Sequence, residues 1–176
     1  MRFTPTAIEG AIVIDIDPHV DERGMFARTF CKDEFSKHGL PSTFVQCNLS
    51  ANKQRGTLRG LHYQADPRPE GKLVRCQRGA IFDVVVDLRP MSTTYCKWFG
   101  VDLDETNPRA LFIPTGCAHG FQTLTDDACV FYQMTEMYVA DLSRGVRWDD
   151  PAFGVVWPLA EPVLSPRDAA YPDFRP

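Results

Sequence analysis

The feature that most constrains this chain is a succession of short apolar segments separated by turn-forming residues. Residues 80–88 and 128–135 are examples, and glycine, proline, asparagine or aspartate stands between most neighbouring segments. Short segments at this spacing are typical of a sandwich or barrel of strands, rather than of alternating strands and helices. The sequence therefore predicts an all-β protein.

The remaining apolar segments predict the other elements of one domain over residues 1–176. Further strands are expected over residues 11–16, 25–30, 44–50, 56–64, 72–77, 98–103, 110–113 and 119–123. Arg78 and Gly79 separate two strands and suggest a hairpin. Residues 31–39 have apolar residues at helical spacing, and a turn of helix is expected near residues 165–170.

Charge and cysteine content exclude several classes of function. The net charge of −4 gives no electrostatic reason to expect a nucleic acid or an anionic membrane as partner. No segment is long and apolar enough for a membrane span, and the N-terminus does not resemble a secretory signal. The six cysteines contain no Cys-x-x-Cys pair. This argues against a zinc knuckle or a redox motif. In a chain without an export signal, the cysteines are expected to be buried thiols in a reducing cytoplasm.

Alternation assigns faces to two of the predicted strands. In residues 80–88 it places Phe82, Val84 and Val86 on a core face and Asp83 and Asp87 on a solvent face. In residues 128–135 the side chain of Tyr132 shares a face with apolar neighbours. Its hydroxyl group is thus expected to point into an apolar interior, where a structural partner or a role as proton donor are the alternatives.

Two histidine motifs add a specific resemblance. The motifs, which resemble those of the cupin jelly rolls, are Gly60-x-His62 with Glu70, and Pro114-x-Gly116-x-x-His119. Many cupins hold a metal ion through two histidines and an acid in the first motif and one histidine in the second. Here Tyr63 and Gln64 stand where the second histidine is needed, which leaves too few nitrogen ligands for a tight transition-metal site. A metal-free cupin is expected.

Nearly the full length of the chain resembles one metal-free cupin family, the dTDP-4-dehydrorhamnose 3,5-epimerases. The blocks that carry the resemblance are residues 21–24, 46–48, 59–64, 72–75, 83–89, 118–121, 145–151 and 164–168. The resemblance implies a cofactor-independent enzyme that inverts carbon atoms of a nucleotide-linked 4-keto-6-deoxy sugar. The ketone acidifies the hydrogens on the neighbouring carbons, so a base, an acid and a cation near the oxyanion suffice.

The resemblance also implies the role of each site residue. His62 is the base, Asp168 orients it, Tyr132 is the acid, and Lys72 stabilises the enolate oxygen. Residues that bind the substrate are expected to be Arg23, Arg28, Gln46, Asn48, Arg59, His119, Tyr138 and Arg167. The family forms homodimers in which N-terminal strands cross to the partner's sheet, and the same assembly is expected here.

Three positions depart from the family pattern and leave the substrate open. Arg28 stands where a glutamate is common, Ser143 where another acid is common, and Arg167 where lysine is frequent. The alternatives are a single-carbon epimerase acting on another nucleotide sugar, such as a CDP or GDP sugar, an isomerase that moves the ketone, and a non-catalytic sugar-nucleotide-binding cupin.

One geometric conflict arises around Gly60. Simple alternation places Arg59 and His62 on opposite faces of a strand, although the family pattern requires them in one site. Glycine inside a strand often marks a bulge, which can re-aim a neighbouring side chain. We therefore predict irregular strand pairing at Gly60.

Overall fold

The computed structural model describes residues 1–175; Pro176, the last residue of the predicted domain, lies outside the described residues. The strands are β1 Arg2–Pro5, β2 Ile12–Asp15, β3 His19–Asp21, β4 Gly24–Phe26, β5 Gln46–Asn52, β6 Leu58–Gln64, β7 Lys72–Arg78, β8 Ala80–Asp87, β9 Trp98–Asp104, β10 Arg109–Ile113, β11 Cys117–Thr123, β12 Ala128–Met134 and β13 Ser143–Gly145. The helices are α1 Lys32–Lys37 and α2 Pro166–Ala169, with a short 3₁₀ turn at Ala140–Leu142.

Two antiparallel sheets make up the body of the fold. One has six strands in the order β1-β2-β10-β7-β12-β5, and the other has five in the order β13-β6-β11-β8-β9. Apolar side chains from both sheets meet between them, among them Val74, Leu111 and Val130 from the first and Val85 and Phe121 from the second. The predicted all-β, jelly-roll-like fold is confirmed.

The predicted hairpin at Arg78 and Gly79 is wrong, because β7 and β8 belong to different sheets. Gly79 has a φ of +74°, and a β-carbon placed there would lie 2.3 Å from Oγ1 of Thr125. Only glycine fits this tight, left-handed turn. The turn carries the chain from the six-stranded sheet to the five-stranded sheet instead of pairing the two strands.

The predicted solvent face of β8 is also wrong. Asp83 and Asp87 are fully buried, because their face of the strand, shared with Ile81 and Val85, points into the space between the sheets. The opposite face is buried as well: Val84 packs against the C-terminal segment. A strand covered on both sides carries apolar residues at consecutive positions, so alternation could not identify a solvent face.

The buried Asp87 carboxylate is satisfied by its neighbours. It accepts hydrogen bonds from Arg89, Ser92 and Thr94. Burial alone would raise the pKa of Asp87, but these hydrogen bonds outweigh it and hold the pKa well below its ordinary value. Because the pKa is lowered in the folded state, the stabilisation is present at neutral pH and is lost only as the pH falls below the ordinary range of aspartate.

The outer faces of the two sheets are covered by different segments. Helix α1 covers the six-stranded sheet through Phe35, which is fully buried against Ile14 and Leu73. Phe153 and Trp157 of the C-terminal segment cover the five-stranded sheet. This segment also brings α2 back to the opening between the sheets. No helix in residues 1–175 is long and apolar enough to cross a membrane.

Several predicted boundaries shifted. The strand expected over residues 25–30 ends at Phe26, and β1, β3 and β13 were not predicted. The two helices lie inside their predicted ranges. α2 begins after Ser165, whose hydroxyl oxygen accepts a hydrogen bond from the backbone N–H of Asp168. This is a standard N-cap, and it fixes the carboxylate-bearing residue in the first turn of the helix.

Candidate active site

Two adjoining cavities open between the sheets. The first has a volume of about 470 Å³ and the second about 340 Å³. Four side chains line both cavities: His62, Lys72, Tyr132 and Arg167. The place where the two cavities meet is therefore surrounded by a possible base, a possible acid and two cations.

These side chains come from opposite sheets. Tyr132 on β12 and Lys72 on the adjacent strand β7 belong to the six-stranded sheet. His62 on β6 belongs to the five-stranded sheet, where it is paired directly with His119 on β11. A ligand between the sheets would thus have the imidazole on one side and the phenol on the other.

His62 is held by a carboxylate. Its Nε2 lies 2.6 Å from Oδ1 of Asp168, whose side chain is only 5% exposed. Burial alone would raise the pKa of Asp168, but the interaction with His62 outweighs it, so the pKa of this carboxyl lies below its ordinary value. Because the ionised carboxylate only accepts hydrogen bonds, Nε2 carries the proton, and Nδ1 is left as the nitrogen able to take one.

The pairing between β6 and β11 is irregular at Gly60, as predicted. The register shifts between the pairs His119–His62 and Phe121–Arg59. Gly60 has a φ of +143°, and a β-carbon there would lie 2.5 Å from the α-carbon of Gly120, so no larger residue fits. The irregularity turns the side chain of Arg59 toward the first cavity, which it lines together with His62.

Arg59 is anchored by an amide that the sequence did not single out. Its Nε donates a 2.7 Å hydrogen bond to Oδ1 of Asn52. Asn52 is 3% exposed and uses its own NH₂ group to bond the backbone carbonyls of Ser50 and Ala128. The guanidinium is thus held by a neutral partner, and among residues 1–175 no carboxylate lies within ion-pair distance of it.

Tyr132 is half-buried, and its surroundings favour the protonated phenol. Burial raises the pKa of Tyr132, the negative charge of Glu70 adds to the increase, and Arg59 opposes it. The hydroxyl group therefore keeps its proton at neutral pH. This is the state that a proton donor requires.

Lys72 forms a buried ion pair. Its Nζ lies 2.7 Å from Oε1 of Glu70, and the two side chains are 9% and 7% exposed. The sequence placed Glu70 only in the first cupin motif and assigned it no function. In the fold it lies beside Lys72 and lines the second cavity together with Tyr132.

His119 lies in a second histidine–carboxylate pair, which the sequence did not predict. Its Nε2 is 2.7 Å from Oδ1 of Asp83, on the neighbouring strand β8. The ring lines the first cavity. The sequence did contain a signal: Asp83 shares a face with Ile81 and Val85, which indicates burial, and a buried carboxylate needs a partner.

The second cavity contains the predicted polar and stacking residues. Gln46 donates to Asn48 and accepts from the backbone N–H of Tyr138. All three residues line the cavity. Arg167 donates a 2.9 Å hydrogen bond to the hydroxyl group of Ser143, so two of the positions that depart from the family pattern contact each other.

Arg23 and Arg28 lie outside the two cavities of this chain. Both belong to the region around the β3–β4 hairpin, where Arg23 pairs with Asp21 and Arg28 lies 3.6 Å from Glu34. Their side chains are 85% and 66% exposed. Within one chain, the structure does not bring them together with the other predicted site residues.

The charged and imidazole side chains of the two cupin motifs are engaged with residues outside the motifs. His62, His119 and Glu70 bond to Asp168, Asp83 and Lys72, as described above. Within residues 1–175, no group of three or more His, Cys, Asp and Glu side chains has the arrangement of a metal site. The absence of a metal and of any cofactor stays a prediction.

A family model described as dTDP-4-dehydrorhamnose 3,5-epimerase matches residues 5–176. The chain belongs to the dTDP-4-dehydrorhamnose 3,5-epimerase family. It is thus an enzyme of the epimerase class, which confirms the resemblance seen in the sequence.

Individual relatives agree with this family. The chain is 46% identical to a dTDP-4-dehydrorhamnose 3,5-epimerase from Methanothermobacter thermautotrophicus, over 99% of the chain and 95% of the relative. It is 40% identical to a dTDP-4-dehydrorhamnose 3-epimerase from Streptomyces niveus, over 96% and 81%. The fold is similar to that of an epimerase from Legionella pneumophila in complex with dTDP-4-keto-L-rhamnose, with a TM-score of 0.91 and 40% identity over 97% and 90% of the chains.

Proposed function

We propose that this epimerase inverts C3 and C5 of a dTDP-linked 4-keto-6-deoxy sugar by removing a proton on one face and adding one on the other. The observation that carries the proposal is the placement of a carboxylate-held imidazole and a protonated phenol on facing sheets, at the junction of two cavities. Family membership supports the dTDP-sugar as substrate.

The first step is proton abstraction by His62. Nδ1 takes the hydrogen from the carbon beside the C4 ketone, and the electron pair of the C–H bond moves to the C4 oxygen to form an enolate. Asp168 stabilises the imidazolium that results. Lys72, whose ammonium group lies at the junction of the cavities, stabilises the negative oxygen.

The second step is protonation by Tyr132. The phenol gives its proton to the same carbon from the opposite face while the enolate collapses to the ketone, and the configuration of the carbon inverts. Solvent then returns a proton to the phenolate and takes one from the imidazolium. Because the pKa of Tyr132 is raised, the phenol is protonated at the start of each catalytic cycle.

The diphosphate and nucleoside are bound by the remaining side chains. Arg59 and Arg167 line the first cavity and have no carboxylate partner among the described residues, so their guanidinium groups are free to bind phosphate oxygens. His119 contributes a further contact there. In the second cavity, Tyr138 offers a ring for stacking, and Gln46 and Asn48 offer amides to the base.

The test is incubation with nucleotide-linked 4-keto-6-deoxy sugars in deuterated water, followed by NMR. We expect deuterium at C3 and C5 of the dTDP sugar, and slower exchange with the CDP and GDP analogues. Deuterium at C3 alone would indicate a single-carbon epimerase, an outcome that the similarity to a 3-epimerase makes worth resolving. An absence of exchange with every substrate would overturn the proposal.

We also propose that the protein works as a homodimer with exchanged N-terminal strands. The β3–β4 hairpin forms a two-stranded sheet joined to neither large sheet. Its residues Val20, Met25 and Phe26 are 75%, 54% and 75% exposed. Such a hairpin is marginal by itself and needs an apolar surface to cover it. In the dimer, Arg23 and Arg28 would reach the site of the partner subunit.

Phe26→Asp is expected to convert the dimer into monomers, because a charge would be buried at the exchanged hairpin. Size-exclusion chromatography with light scattering measures the change. Met91→Asp is the matched control, since Met91 is 96% exposed and lies outside the hairpin; this variant should stay dimeric. A monomeric wild-type protein, or a dimeric Phe26→Asp variant, would contradict the proposed assembly.

We further propose that residues 1–176 act as one epimerase domain in the cytoplasm. All the groups proposed to act, apart from Arg23 and Arg28, line the two adjoining cavities of one chain. The six cysteines are free thiols, as is usual for proteins in a reducing compartment.

A further inference from the structure

Glu70 has two features that a purely structural carboxylate seldom combines. Its Oε1 forms an ion pair with the buried ammonium of Lys72, but its Oε2 is buried and has no hydrogen-bond partner among the described residues. An unpaired, buried carboxylate oxygen destabilises the folded protein, because it loses its hydration without gaining a hydrogen bond. Buried groups that persist in such a state are often explained by function.

Glu70 lies near two of the groups proposed to act, Lys72 and Tyr132. It lines the second cavity together with Lys72 and Tyr132. The Glu70 carboxylate thus lies next to Lys72, which is proposed to stabilise the enolate. It is also close to Tyr132, which is proposed to reprotonate the enolate. No hydrogen bond of the described structure joins Lys72 to any other carboxylate.

We propose that Glu70 is a positioning residue of the epimerase: it fixes the ammonium of Lys72 where the enolate oxygen forms, and it places a negative charge beside the Tyr132 phenol. Glu70 has this role only if the proposed roles of Lys72 and Tyr132 hold. Oxyanion stabilisation depends on donors that are held in place before charge develops, and a flexible lysine chain achieves this only when its end is anchored.

The electrostatic surroundings of Tyr132 support the second half of this role. After burial, the charge of Glu70 is the largest influence that raises the pKa of Tyr132; Tyr138 adds to it, and Arg59 opposes it. The other charged or titratable groups that line the cavities with Tyr132 are His62, Tyr63, Lys72, His119, Arg167 and Asp168.

Glu70→Gln removes the charge of the carboxylate with little change in volume, and the amide oxygen can still accept from Lys72. We expect kcat for the dTDP-sugar to fall by about tenfold or more, with a KM and a dTDP affinity close to those of the wild type. The pKa of Tyr132 should fall, which moves the alkaline limit of kcat to lower pH. NMR titration of protein with ¹³C-labelled tyrosine follows this pKa directly, and Tyr132→Phe assigns the signal.

Glu136→Gln is the matched control. Glu136 also forms a close ion pair, with Arg68 at 2.6 Å, but it lines neither cavity. This variant should retain the kcat and the Tyr132 titration of the wild type. Equal thermal stability of the two variants would show that lost activity does not come from unfolding.

The outcomes separate the role of Glu70 from the function itself. An active wild type with an equally active Glu70→Gln variant, or with an unchanged Tyr132 titration, overturns the role of Glu70 and leaves the epimerase function intact. A loss confined to KM or to dTDP affinity also overturns it, because it would indicate substrate binding instead. A wild type that exchanges no deuterium overturns the proposed function, and the role of Glu70 with it.

Discussion

Replacement of His62 by alanine is expected to lower kcat by about 10³-fold, while the affinity for dTDP stays within a few fold of the wild type. The hydrogen beside a ketone is too weakly acidic for water to remove it at a useful rate. His62 lines both cavities, its Nε2 is held by the carboxylate of Asp168, and its Nδ1 is left to take the proton. Deuterium incorporation and product formation measure chemistry, and titration calorimetry with dTDP measures binding.

The control for this variant is His38→Ala. His38 stacks on Phe3 with the ring centroids 4.0 Å apart, and it lines neither cavity, so activity should be retained. An intermediate loss is expected for Asp168→Asn, because the amide can no longer stabilise the imidazolium but still holds the ring. If His62→Ala exchanged deuterium at the wild-type rate, the base would be misassigned.

Tyr132→Phe is expected to separate exchange from inversion. The phenyl ring retains the packing of the tyrosine but has no proton to donate, so formation of the inverted product should fall by about 10²-fold or more. His62 can still remove a proton and return a deuteron to the same face. The recovered substrate should therefore carry deuterium with its original configuration, which NMR distinguishes from inverted product.

Tyr95→Phe provides the matched control for this change. Tyr95 packs against Phe174 and lines neither cavity, so loss of its hydroxyl group should leave product formation unchanged. Inverted product formed by Tyr132→Phe at the wild-type rate would show that another group, or water, protonates the enolate. Loss of exchange and inversion together would instead indicate that the phenol is needed before the first proton transfer.

The fold class was accessible from the sequence because its signals are local. Each short apolar segment with a turn after it predicts a strand without knowledge of its partners. The pairing of strands could not be predicted from local sequence signals. The turn at Gly79 has the residues of a hairpin, yet the two strands that it joins lie in different sheets, because burial across the whole sandwich decides the path of the chain.

The candidate site shows the same division. His62, Lys72, Tyr132 and Asp168 were identified by resemblance to the family, and the structure brings them together around the cavities. Asp83, Asn52 and Glu70 gained their significance only in the fold, as partners of His119, Arg59 and Lys72. Some of these contacts join residues on different strands or loops. Others depend on a neighbouring side chain that excludes water from the interacting pair.

By itself, the sequence determined that the chain is all-β, and its resemblance to the epimerase family named the residues that we propose move a proton beside a ketone. The tertiary structure decided which partner holds each of those residues. It also decided on which side of a ligand each residue lies. The faces of β8 and the direction of Arg59 illustrate the reason. Alternation along a strand has a period of two, but burial on both faces and the irregular pairing at Gly60 are set by neighbouring strands.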